Sequence, residues 1–324
     1  MKWNTVRWIA AVLMLLSLAF GLSCPSIVEA EGAKLPLDFT VGGSKTDKAD
    51  WEYDGKTPVG YKDDTIEVTS EKGSVVLSAA SKRKKNVKHE TWVVRIRISD
   101  ASQLRTAVSK DTYKGGGQAS AEDIAKSKNA VAAMNGDFFK YEKDVGYVVR
   151  QGELVRDASD NKRVVFDTLL VDSEGDFHVI PSADTAKIEA FTEETLTPEG
   201  RTALDTFNLG PALIVDGEKQ DIAASAAAKQ GRYQWKYPQQ RIALVQTGKL
   251  EYAIVEVYGK TDGTAGMTLD EFADLILEKC PDAIIAYNFD GGGSTNLVLN
   301  GKKIHKTPGL REITDIIYFA SAKE

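Results

Sequence analysis

Asp290 is followed by three glycines, Gly291, Gly292 and Gly293, and then by two hydroxyl residues, Ser294 and Thr295. Residues without Cβ let the main chain take positive φ and let a ligand approach backbone N–H groups closely. A carboxylate, two hydroxyls and an exposed backbone therefore stand side by side. Other groups of the same kind lie at expected strand ends: Asn135 and Asp137 after the apolar residues 130–134, Arg241 after Pro238-Gln239-Gln240, and Arg311 within Gly309-Leu310-Arg311-Glu312. Carboxylates move protons or steady developing positive charge, and the planar fork of arginine grips two phosphate oxygens at once. Such a set suits a sugar-phosphate ligand. Taken singly, each piece also reads as a turn or a surface residue.

Two familiar motifs are excluded. A phosphate-gripping P-loop needs Lys-Ser/Thr after its last glycine and a helix behind it, whereas Gly293 continues as Ser294-Thr295-Asn296-Leu297. A hydrolase nucleophile elbow needs glycine where Asn296 stands.

Strand ends must hold these groups. Residues 283–286 are an apolar run leading toward Asp290, and Trp92, Val94, Ile96 and Ile98 alternate with Val93, Arg95 and Arg97 in the manner of a half-buried strand. Strands are expected over residues 65–68, 74–79, 91–98, 130–134, 164–171, 177–180, 212–215, 242–246, 252–258 and 314–320, with a hairpin across Asn300-Gly301 joining 296–299 to 302–305. Ser120, followed by Glu122 and Asp123, caps a short helix. Thr268 with Glu271 forms a capping box before a helix whose Leu269, Phe272, Ala273, Ile276 and Leu277 share one face. The fold class expected is α+β, with mixed, largely antiparallel sheets and a few packed helices.

Composition narrows the function. The chain has 324 residues, 42% of them hydrophobic, and a net charge of −6, which offers no nucleic-acid surface. The basic run Lys82-Arg83-Lys84-Lys85 with Lys88 reads as a hairpin loop. Lys2 and Arg7, the apolar stretch 8–22 and the small-residue end at Val28-Glu29-Ala30 follow the order of an export signal cut after Ala30. The protein is then secreted or associated with the cell envelope, and touches a membrane only if that segment stays uncleaved as an anchor. After cleavage Cys280 alone remains, as a buried thiol, and His89, His178 and His305 lack metal-ligand spacing. The expected divisions are 1–30, the signal; 31–118, a region of antiparallel strands; and 119–324, the main domain.

In their order and settings the chemical pieces resemble the phosphodiester glycosidase family. The likeness spans residues 129–319. It rests on Ala132-Ala133-Met134-Asn135-Gly136-Asp137-Phe138-Phe139, Phe207-Asn208-Leu209-Gly210-Pro211 through Asp216-Gly217, Pro238 through Arg241, Gly266-Met267-Thr268-Leu269, Asp290 through Ser294 with Asn300-Gly301, and Arg311. The chain departs from the family at Asp137, where a second glycine is common, and at Tyr258-Gly259-Lys260, where Asp-Gly-Arg is common.

The resemblance implies hydrolysis of the sugar C1–O bond of a sugar-1-phosphodiester, of the N-acetylglucosamine type or within a cell-surface polysaccharide, releasing sugar and a phosphomonoester. On that reading Asp290, Asp137 and Arg241 are catalytic. Asn135, Phe139, Gly291, Gly292, Gly293, Ser294, Thr295 and Arg311 bind substrate, with the glycine N–H groups as an anion nest. A divalent cation on the oxygens of Asp290 and Asn135 stays open. So do two other readings: a non-catalytic carbohydrate or cell-wall binder using Phe138, Phe139 or the aromatic stretch Tyr233-Gln234-Trp235-Lys236-Tyr237, and a phosphodiesterase that breaks the P–O bond.

Overall fold

In the strand β3 (Val87–Ile98), Trp92, Val94, Ile96 and Ile98 enter one buried cluster while Val93 enters another on the opposite face. The same split separates Ile242 and Leu244 from Ala243 and Val245, and Ile254 from Val255. A period of two with both faces apolar demands cover on both sides of a sheet. A computed structural model describes residues 51–77, 86–111, 117–137, 146–158, 167–181, 200–208, 210–229, 234–259, 266–305 and 310–323. Contacts divide the chain into Met1–Gly32, outside the described residues, and Ala33–Glu324, to which everything that follows refers.

An eight-stranded sheet runs β1 (Gly60–Lys62), β2 (Ile66–Leu77), β3, β14 (Glu251–Tyr258), β13 (Arg241–Gly248), β15 (Ile285–Asn288), β11 (Ala212–Val215), β12 (Glu218–Lys219). A five-stranded sheet runs β17 (Lys302–Lys303), β16 (Leu297–Leu299), β5 (Ala130–Asn135), β18 (Asp315–Ala320), β4 (Leu104–Val108). A smaller sheet of β10 (Ala203–Phe207), β8 (Thr168–Asp172) and β9 (Phe177–Ile180), and the hairpin β6 (Gly146–Arg150)–β7 (Glu153–Ala158), complete the strands.

The main core lies between the sheets. Trp92, Leu244 and Ile254 from the first meet Met134, Leu299 and Phe319 from the second, joined by Leu169 and Phe177 of the smaller sheet. On the outer face of the first sheet the helix Leu269–Lys279 buries Phe272, Ala273 and Ile276 against Ala243, Val245 and Val255. On the outer face of the second, the helix Ala121–Ser127 buries Ile124 and Ala125 against Ala133, Ile316 and Tyr318. The layers are helix, sheet, sheet, helix. Both caps form as their residue types dictate: Ser120 accepts from the Asp123 N–H, and Thr268 and Glu271 make a reciprocal capping box.

The sequence expectations are met for β9 and β11 and, within two residues at their ends, for β13, β14 and β18. One difference has a physical cause. Residues 65–68 and 74–79 were read as two strands, yet β2 is continuous, because β3 offers it a full-length partner and a side chain at Gly73 would meet Thr91 Oγ1 at 2.9 Å. The largely antiparallel expectation holds, since every named pairing among the described residues is antiparallel, but the architecture is sheet-dominated rather than a helix-packed α+β fold. Strands on both sides of the 118/119 division share sheets, since β3 pairs with β14 and β4 with β18. The signal segment and most of the basic loop at 82–88 lie outside the described residues; among those described, no helix is long and apolar enough to cross a membrane.

Candidate active site

The chain leaves the first sheet at β15 and enters the second at β16, and the glycine run makes that crossing. It must squeeze past β13. A Cβ on Gly291 would stand 2.7 Å from the Gln240 carbonyl, and Gly292 takes φ +59, which explains why side chains are missing there. Asn135, at the end of β5, stitches the crossing to the second sheet. Its Nδ2 donates to the Asp290 carbonyl at 2.9 Å and its Oδ1 accepts from the Asn296 N–H at 3.0 Å. Asn135 is buried, so it fixes the backbone on which Asp290 is carried.

On the open side of the crossing, Asp290 Oδ2 accepts from Arg311 Nη2 at 2.9 Å, and Arg311 Nε donates to Ser294 Oγ at 2.7 Å. The Arg311 N–H bonds the Gly293 carbonyl at 2.8 Å, which locks the two segments together. The Asp290 side chain is 26% exposed and that of Arg311 49%, so the pair faces solvent without being fully hydrated. Burial pushes the Asp290 carboxyl above the usual carboxylate range, while Ser294, Arg311 and the Gly291 N–H hold it back.

The floor is a buried charge cluster. Arg150 Nη2 lies 3.0 Å from Asp137 Oδ1 and 3.7 Å from Asp315 Oδ2, and all three side chains are almost fully enclosed. Asp137 Oδ2 also accepts from the Asn208 N–H at 3.0 Å. Arg150 Nη1 donates to the Val149 and Thr206 carbonyls, and its guanidinium carbon sits 4.7 Å from the centre of the Phe207 ring. The Asp315 carboxylate lies across Gly136, where any Cβ would stand 2.1 Å from Asp315 Oδ2. Asn-Gly is required there by contact, beyond its use as a turn.

Asn135, Asp137, Asp290, Ser294, Arg311 and Asp315, with Gln118, Gly136 and residues 312–314, line one shallow cleft open to solvent. Five residues expected from sequence therefore meet: Asn135, Asp137, Asp290, Ser294 and Arg311. Asp315 and Arg150 were not anticipated. The signal for Asp315 was an acid opening an otherwise apolar strand. Arg150 closes the apolar run Tyr147-Val148-Val149, where arginine reads as a surface residue.

Arg241 stands apart. It is 2% exposed, its Nε donates to the Met267 carbonyl at 3.0 Å, and its Nη2 donates to the Gln234 and Tyr237 carbonyls at 3.1 and 2.9 Å. Burial lowers its pKa to about 9. It sits behind Gly291 rather than in the cleft, because the first residue of β13 faces the helix side of the sheet. The glycine nest is also largely closed: the Gly292, Ser294 and Thr295 N–H groups bond the Gln240, Gly291 and Gly292 carbonyls, and that of Gly291 serves Asp290. Thr295 is buried, and Phe138 and Phe139 lie outside the described residues.

A cation on Asp290 and Asn135 does not fit this donor set. The Asn135 oxygen already accepts a backbone N–H, Asp290 is neutralised by Arg311, and no group of three His, Cys, Asp or Glu suited to a metal occurs among the described residues.

The profile of the phosphodiester glycosidase family matches residues 128–320, which hold every lining residue of the cleft except Gln118. Among solved structures, the catalytic domain of zebrafish N-acetylglucosamine-1-phosphodiester alpha-N-acetylglucosaminidase, auto-inhibited by its pro-peptide, shares the fold with a TM-score of 0.58 and 17% identity, over 79% of this chain and 88% of that one. A hypothetical protein from Synechocystis gives a TM-score of 0.50 at 16% identity, over 82% and 64% of the two chains. No curated protein matches.

Proposed function

The chain belongs to the phosphodiester glycosidase family, and from that premise we propose that it hydrolyses the sugar C1–O bond of a glycosyl-1-phosphodiester. The observation that carries this reading is the half-open Asp290–Arg311 pair at the mouth of a cleft floored by two more carboxylates. Water attacks C1 as the C1–O bond breaks. The bonding electrons leave with the phosphate oxygen, and the proton of the water passes to Asp290.

A phosphomonoester is a good leaving group, so neutralising its charge matters more than protonating it. Arg311, fixed by Ser294 and Asp290, is the cation at hand for the departing oxygens. Asp137 and Asp315, held by Arg150 on the floor, supply negative potential that favours positive charge on the sugar ring. Asn135 fixes the wall that carries Asp290, and Arg241 supports that wall from behind. The N-terminal basic, apolar and small-residue order supports export, and with it a substrate at the cell surface, such as a polysaccharide containing glycosyl phosphodiesters.

The pair makes a pH prediction. Asp290 accepts a proton only when ionised, and burial raises its pKa, so the acid limb of kcat/KM lies above the ordinary aspartate value of about 4. Arg311→Gln removes a cation that stabilises the ionised form, so the limb moves to still higher pH. The maximal rate falls by about 10²- to 10³-fold, the size of losing one aimed donor. A pH–rate profile on a soluble glycosyl phosphodiester measures both. An unmoved limb would separate Arg311 from Asp290 in the reaction.

A further inference from the structure

The cleft chemistry leaves the aromatic turn before β13 unused. Gln234-Trp235-Lys236-Tyr237 is closed by the Tyr237 N–H on the Gln234 carbonyl at 3.1 Å. Tyr237 is 55% exposed. Trp235 packs its ring at the edge of the helix-side core, and the Lys236 ammonium lies 4.5 Å from the centre of that ring. The Trp235 carbonyl accepts from the Leu269 N–H at 3.0 Å, which ties the turn to the start of the capped helix.

Arg241 holds this turn from beneath. Taking an arginine out of water is unfavourable, and here its Nη2 goes to the carbonyls of Gln234 and Tyr237. A turn that served only as a connection would not need a buried cation to fix its shape. Tyr237 presents more than half of its surface to solvent. The same turn leads straight into the glycine wall: the Gly292 N–H bonds the Gln240 carbonyl at 3.1 Å, Gln240 Nε2 donates to the Gly292 carbonyl at 3.2 Å, and a Cβ on Gly292 would meet Gln239 Oε1 at 3.2 Å.

We propose that this turn is a binding subsite for a phosphate-bearing glycan chain, engaging sugar units beyond the linkage that is cleaved. The C–H faces of pyranose rings stack on aromatic faces, and the Tyr237 ring sits on a pinned base that keeps its ordering cost low. Lys236, whose ammonium lies over the Trp235 ring of the same turn, carries the charge that attracts a neighbouring phosphodiester. Arg241 is a positioning residue for the subsite. The inference rests on the reaction proposed above and names the kind of substrate it takes: a polymer rather than an isolated glycosyl phosphodiester.

The test compares two substrates in Tyr237→Ala and in the conservative Tyr237→Trp: a small soluble glycosyl alkyl phosphodiester and a polysaccharide whose repeat is joined by glycosyl phosphodiesters. Tyr237→Ala should raise KM for the polymer about tenfold with kcat unchanged, leave the small substrate alone, and be rescued by Tyr237→Trp. Equal effects on both substrates, or none on either, would overturn the subsite. Retardation of the protein in a gel containing the polymer reads binding without catalysis. If wild type turns over neither substrate, the reaction fails. The subsite then stands if wild type is retarded and Tyr237→Ala is not, and falls if the two migrate alike.

Discussion

Asp290→Asn lowers kcat/KM by about a thousandfold on any glycosyl phosphodiester the protein cleaves, a loss typical of removing a positioned acid–base group. Asparagine has nearly the same shape and can still accept from Arg311, so the Asn135 and Ser294 contacts that shape the crossing are left in place. What disappears is the negative charge and the ability to take a proton. Stability should move the other way.

The folded protein raises the Asp290 pKa, and therefore favours its protonated form relative to the unfolded chain. Above the raised pKa the ionised carboxylate is a burden on the fold; below the unfolded value it is not. Asp290→Asn should thus have a melting temperature equal to or above that of wild type at neutral pH, with the difference vanishing on the acid side. Thermal unfolding across pH, run beside kinetics, checks both halves. Wild-type rates in the variant would remove Asp290 from the mechanism, and a large drop in melting temperature would make it a structural residue.

The second large effect belongs to Arg150. Its side chain is 1% exposed and faces Asp137 and Asp315 together, with Asp205 close enough to feel its charge. Arg150→Met keeps much of the packing against Phe207 and leaves the carboxylates uncompensated, which costs about 3–5 kcal/mol. Burial already pushes Asp205 up to about 6, against the opposing pull of Arg150. Removing Arg150 raises the folded-state pKa of Asp205 further. The folded variant therefore binds more protons than its unfolded chain, and its deficit should shrink as pH falls from 8 to 5. Urea unfolding at both ends of that range measures it. A deficit below about 1 kcal/mol, or one independent of pH, would mean that the cluster is not held by this charge.

The frame of the site could be read from the chain because its signals are local. Gly291-Gly292-Gly293 announces a close backbone approach, and the structure supplies the neighbour, the Gln240 carbonyl. Thr268 with Glu271, and Asn300-Gly301 at φ 43 and 68, likewise act within a few residues. The arginines could not be sorted in this way. Arg241 and Arg311 look alike in sequence, and only the register of β13 turns the first toward Met267 while the loop before β18 turns the second toward Asp290. Arg150 and Asp315 were hidden for a related reason: charges at the edge of apolar strands ordinarily face water, and these face each other. Continuity of β2 through Glu71-Lys72-Gly73 was hidden because strand length was set by a partner, β3.

The central claim is that the bond broken is C1–O, on the sugar side of the phosphodiester. Turnover of a glycosyl phosphodiester in ¹⁸O-labelled water, followed by mass spectrometry of both products, tests it most directly. Label in the released sugar and none in the phosphomonoester is the predicted result; label in the phosphate, with sugar phosphate among the products, would contradict it.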